Sequence, residues 1–290
     1  LFNTAGIMLK LLSASRHHPY LPGLENPQLI RVNLSGSRFE FQVPAYLDFR
    51  TVEKLNPIDL RLDIHNLRYF SRASPDFCSA TLFNRDLDFY STPCGVKSIG
   101  TIGVVAMVER VDCLPNGMNC LNPAHFEQVV MRLLHRLGPG NPGFWKKIAP
   151  VNWRVFCRGD STWINCEMRN DIDAILKPTP YDNMQFTSFA ITALDERHIL
   201  RVMHNTLGYA PEPFVQKVRG QICRSVKLTL SDEVKARMAA VKARWPNAKV
   251  SEFREPEQWT YPKWRKGHAD LGEPNIVVSK LGSPPPELKL

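Results

Sequence analysis

An apolar run that ends in an acidic–basic pair occurs twice in this chain, as Val104–Arg110 (VVAMVER) and Ala190–Arg197 (AITALDER). After each run a proline opens a helical pattern, PAHFEQVVMRLL from Pro123 and PEPFVQKVRGQI from Pro211, with Pro, Phe, Gln and Val at matching steps. Upstream of each, a glycine turn lies between strand-like residues, LSGSRFEF around Gly36 and CRGDSTWIN around Gly159. A strand–helix unit present in two diverged copies predicts the α+β class, with two similar lobes, each an antiparallel sheet and a covering helix. The alternative is two unrelated strand–helix units.

Local signals divide the chain accordingly. Residues 1–29 read as an N-terminal leader, 30–142 as the first lobe, 143–250 as the second, and 251–290 as an aromatic, basic segment and tail. Ile30–Leu34 and Phe39–Val43 alternate about a Ser35-Gly36-Ser37 turn, the mark of a hairpin. Leu62–Phe70 and Asp86–Ser91 are further strand candidates, and the β-branched run Ile102–Val111 reads as a buried strand. The first helix is predicted over Pro123–Leu137. Asn122 is a natural N-cap, Pro123 suits the first helical position, and Phe126, Val129, Val130, Leu133, Leu134 and Leu137 form one stripe. GPGNPG at 138–143 reads as a linker. The second half predicts a hairpin of Trp153–Cys157 with Ser161–Met168, strands near 185–193 and 197–205, a helix over Pro211–Arg224 and a third helix capped by Ser231.

The 290 residues carry a net charge of +9 and a pI near 9.3. This excess favours an acidic partner, and its even spread, without a Lys/Arg block, argues against nucleic acid. No apolar stretch reaches the roughly 18 residues of a membrane-spanning helix. The mildly apolar LFNTAGIMLKLLSAS before HHPYLPG predicts a removed signal peptide or membrane anchor upstream of Leu1, and a periplasmic or otherwise exported protein; a plain amphipathic helix is the other reading. Seven cysteines point the same way. Cys113 and Cys120 flank a Pro-Asn-Gly turn that would bring them within disulfide range, and Cys78 with Cys94 is a possible second pair. Metal spacing of the CxxC kind is absent, so no metal site and no cofactor is expected.

The usual catalytic signatures, GxSxG, HExxH, GxxxxGK[ST] and GxGxxG, do not occur. His125 and His135 are expected on the polar side of the first helix, and His198 and His204 on one face of a strand. Asp195-Glu196-Arg197-His198 reads as a charged turn between antiparallel strands. A non-catalytic binder follows. Its partner-binding candidates are Trp259, Tyr261, Trp264 and Arg265, since Trp, Tyr and Arg dominate binding hot spots; the opposing reading has these rings packed back on the second lobe. A hydrolase built from dispersed residues such as His198 or His204, and an envelope- or carbohydrate-binding module using Trp259 and Trp264, are the alternatives.

Two segments, FCRGDSTW at Phe156–Trp163 and SGSRFEFQVP at Ser35–Pro44, resemble the lobe entries of periplasmic immunity proteins that neutralise type VI secretion lipase toxins. Members of that family open a lobe with a Cys-Gly-aromatic hairpin leading into an apolar-Pro step; the first segment here lacks the Cys. The resemblance implies a clamp-like, two-domain α+β protein that inhibits a cognate protein toxin by occluding it.

Overall fold

A computed structural model describes residues 13–45, 55–72, 74–91, 98–137, 146–171, 186–209, 211–260, 263–264, 277–278 and 288–289. The chain is α+β, built on two sheets. Among the described residues the smaller has four strands and the larger eight. A short ladder of β13 (Lys263–Trp264) with β14 (Val277–Val278) stands apart.

The smaller sheet grows from a hairpin. β1 (Pro27–Leu34) and β2 (Ser37–Pro44) meet at a two-residue turn whose residues, Ser35 and Gly36, both have positive φ (49° and 95°), the backbone that matches strand twist. β3 (Ile58–Leu62) adds in parallel to β1, and β11 (Lys227–Thr229) to the other edge.

The larger sheet consists of three antiparallel hairpins side by side. They are β5 (Phe77–Tyr90) with β6 (Ser98–Val111), β7 (Lys146–Arg158) with β8 (Ser161–Asp171), and β9 (Phe186–Ala193) with β10 (His198–Gly208). β4 (Ser71–Arg72) and β12 (Glu257–Thr260) extend its edges. The seam between the halves of the sequence is the β6–β10 ladder, from His198 opposite Arg110 to Gly208 opposite Gly100. The expected boundary between residues 142 and 143 is therefore crossed by a continuous sheet, and the 30–142 and 143–250 segments share one hydrogen-bonded layer.

Each face of this sheet has its own core. On one face lies α1 (Pro123–Leu137), capped by Asn122, whose Oδ1 accepts from the backbone N–H of Ala124 at 2.9 Å. Its Phe126, Val129, Val130, Leu133 and Leu134 pack on Ile164, Cys166, Phe189, Ile191 and Ile199. The other face is covered by the small sheet, by α2 (Glu212–Ser225) and by α3 (Asp232–Arg244). Phe39, Phe41, Val215, Val218 and Ile222 meet Phe89, Ile102, Val104 and Val202 there. Among the described residues no helix is long and apolar enough to cross a membrane.

Two expectations change. The VVAMVER run lies on β6, whereas AITALDER spans β9 and the turn after it, so the residues following them differ: a loop in the first case, strand β10 in the second. The matched segments occupy non-equivalent positions, and α1 and α2 lie on opposite faces of the large sheet. Leu62–Phe70 is not a strand beyond Leu62. Asp63 Oδ1 accepts from the Ser35 hydroxyl and the His65 N–H, both at 3.0 Å, and Asn66 Oδ1 from the Arg68 N–H at 3.1 Å, opening a 3-10 turn over Leu67–Tyr69. These side-chain bonds offer the backbone an alternative to a ladder.

Candidate functional site

The β9–β10 connection is the charged turn that its sequence predicts, with one addition. Asp195 Oδ1 accepts the backbone N–H groups of Arg197 and His198, at 2.8 and 2.7 Å, which shapes the turn. The same carboxylate also holds the His198 ring, with Oδ2 2.8 Å from Nδ1. Both side chains are buried, at 4% and 6% exposure for the whole residues. Burial raises the Asp195 carboxyl, but its bonds to His198 and to the two N–H groups outweigh this and hold it below the ordinary carboxylate range. The carboxylate orients the imidazole, and His198 Nε2 has no hydrogen-bond partner among the described residues.

The loop after β3 closes over this pair. The His65 ring meets His198 edge-on at 5.8 Å between centroids, and Phe70 lies 5.7 Å away on a tilted plane. His65 itself is exposed, and the neighbouring Leu67 and Tyr69 are 60% and 57% exposed. One ligand atom each from His65, Asp195 and His198 lies within 4.8 Å of the other two. A carboxylate-held imidazole of this kind can accept a proton from water or bind a metal ion.

A second feature is a groove of about 1030 Å³ between α3 and the tip of the β7–β8 hairpin. Lys235, Met238, Ala239 and Lys242 repeat at helical spacing along the α3 wall, while Phe156, Cys157 and Gly159–Thr162 form the opposite wall. Leu121, Phe126, Ala193, Leu230, Trp245 and Pro246 also line it. Only Val234 and Val241 of α3 are buried, so most of this helix remains available to the groove. Lys235, Lys242 and Lys249 line it against two acids, Asp160 and Glu252.

No protein-family model and no curated protein matches this chain.

The predicted contact residues fall elsewhere. Trp259 lies on edge strand β12 opposite Lys147, and Trp264 on β13 opposite Val277. Tyr261 and Arg265 lie outside the described residues. Cys113 and Cys120 both stand as free cysteines in the structure. The turn between them does form, with Met118 N–H donating to Pro115 at 3.1 Å, but its ends are tied to different segments: Cys113 N–H to Asp76 and Cys120 N–H to Glu196. Cys78 is likewise a thiol, 3.0 Å from an Asp112 oxygen, and Cys94 lies outside the described residues. His125 and His135 are buried, not on a polar face, because Trp245 covers the former at 5.5 Å.

The sequence dismissed the Asp195/His198 pair because its charges suit a turn. Asp-x-x-His directly after a strand was the available signal, but His65 has no local signal that would join it to them.

Proposed function

We propose that this chain is a non-catalytic, exported binding protein that inhibits a cognate secreted toxin by occluding it, and that the α3 groove receives an acidic, amphipathic segment of that partner. The observation that carries the reading is the groove's composition: a lining in which apolar side chains stand with three lysines and two acids. Such a lining buries an apolar face while its rim selects negative charge, and rim charges act mainly on the rate of encounter. The net charge of +9 adds long-range attraction to an acidic surface. The likeness of Ser35–Pro44 and Phe156–Trp163 to immunity-protein lobe entries supports a toxin as the partner, and the second segment includes part of one groove wall.

The test is co-purification with the protein encoded by the adjacent gene, followed by that protein's activity with and without this chain. Ala239 and Lys242 are both exposed, so the Ala239→Glu/Lys242→Glu variant should fold normally. It should weaken binding at least about tenfold, or ~1.4 kcal/mol, and association of the unmodified protein should slow as salt rises. Unchanged affinity, or full toxin activity at excess protein, sinks the reading. One observation favours a hydrolase instead: His198 is oriented by Asp195 with Nε2 unpaired. Turnover that vanishes in His198→Gln would favour that second reading.

A further inference from the structure

We propose that α1 carries, at Gln128, a docking site for an extended peptide segment with an aliphatic residue, and that Leu288-Lys289 of the chain itself is the occupant such a segment displaces. The observation is a two-point grip on main chain. The Lys289 N–H donates to Gln128 Oε1 at 2.7 Å, and Gln128 Nε2 donates to the Lys289 carbonyl at 2.9 Å. One side-chain amide thus meets both polar groups of a single residue, as an opposing residue does in the hydrogen-bonded pair of an antiparallel ladder. Both bonds need the N–H and C=O of that residue on the same side, which is how an extended segment presents them. The residue before the grip supplies an anchor: Leu288 is partly buried and packs on the core under α1. Lys289 is exposed, so successive side chains alternate between core and solvent, the period of a strand.

Such a site reads main chain and one aliphatic side chain. Ladder-type bonds supply affinity, and the pocket for an alternate side chain supplies selectivity. The adjacent Glu127 shows what a permanent contact looks like. Its buried carboxylate accepts from the Ser251 N–H and from Arg254, both at 2.6 Å, and Trp153 Nε1 donates to the Ser251 carbonyl at 2.8 Å. Bonds to a charged group hold that segment firmly. The Gln128 bonds join neutral groups at an exposed place, where water competes for them. Tethering in one chain raises the local concentration of Leu288-Lys289 to the order of millimolar, so a free segment with the same contacts competes at similar concentrations. A partner that adds contacts of its own competes at lower ones. The site shares no residue with the α3 groove, so it stands or falls apart from the occlusion proposed above.

The experiment is fluorescence anisotropy of labelled PPELKL, the sequence of residues 285–290, titrated with the full chain and its variants. Leu288→Asp removes the aliphatic anchor from the resident occupant and leaves α1 untouched. That variant should bind the peptide at least about tenfold more tightly than the unmodified chain, because apparent affinity scales with the fraction of empty sites. Adding Gln128→Ala to Leu288→Asp should weaken binding at least about tenfold, the worth of two such hydrogen bonds. Gln128→Glu keeps the shape and the acceptor but loses the donor, and should weaken it too, so the result does not hang on the folding of one variant. The peptide PPEDKL should not bind. Absence of binding to the Leu288→Asp chain overturns the proposal. So does equal affinity for the unmodified chain, or binding that both Gln128 variants leave unchanged.

Discussion

Single buried side chains give this protein measurable pH and thiol signatures. His204 on β10 is 1% exposed, and burial, aided by the charge of Arg219 from α2, pushes its ring down to about 3. The folded state keeps it neutral while the unfolded chain protonates it near its ordinary 6.5, so unfolding takes up a proton below that pH. Stability should hold above neutrality and fall by up to about 1.4 kcal/mol per pH unit as pH drops from 6.5 towards 4. The lowered Asp195 carboxyl acts in the same direction at the acid end of this range. Urea midpoints across pH 4–8 check this, and His204→Gln should flatten the slope between pH 5 and 6.5. The thiols form a graded set. Cys157 is exposed at the β7–β8 tip, whereas burial pushes up the Cys120 and Cys166 thiols and holds Cys223 at about 11. Maleimide labelling of native protein at pH 7 should modify Cys157 first, and Cys120 and Cys166 only after unfolding. Recovery of a Cys113–Cys120 linked peptide would contradict the thiols seen in the structure.

Between elements, the most consequential contact is a charge network under the last turn of α1. Glu109 of β6 is fully buried and accepts from Ser79 of β5 and from Arg201 of β10, so one carboxylate joins three adjacent strands. Arg136 of α1 approaches it at 3.5 Å and lies over the Phe77 ring. Removing the carboxylate leaves Arg201, at 3% exposure, with a desolvated and unmatched charge. Glu109→Ala should cost about 3–5 kcal/mol by urea unfolding, and the double change Glu109→Ala/Arg201→Met should recover much of that. A cost below about 1 kcal/mol for the single variant would mean that water reaches Arg201. A similar but more exposed device fixes α2 in place. The Arg158 guanidinium donates to the carbonyls of Cys223, Arg224 and Val226, satisfying the helix end that a cation favours.

For the whole molecule, the shared β6–β10 ladder decides how it unfolds. The core under α1 and the core under the small sheet are two faces of the same central strands, so neither half of the sequence carries a complete core. Residues 143–250 expressed alone lose β6 from beside β10, together with β1, β2 and β3 of the small sheet, which help to cover one face. That fragment should lack a cooperative transition, while the full chain should show one coincident transition by fluorescence and circular dichroism. Independent folding of the fragment would support the boundary drawn from the linker-like GPGNPG.

The sequence by itself determined what depends on neighbours within a few residues. The Asn122 cap with its stripe set the span of α1, Ser231 capped α3 through the Val234 N–H, and the positive φ needed at Gly36 and Gly159 placed two hairpin tips. Asp63 and Asn66 carried a turn signal that the apolar residues around them masked. The tertiary structure alone decided which hairpins stand side by side. Strands such as β6 and β10 are buried on both faces, so their pattern fits many neighbours equally well. It also decided that His65 meets Asp195 and His198, and that the two matching runs serve as different strands. Such contacts join residues far apart in the chain, and their energy depends on packing and desolvation that no local pattern encodes.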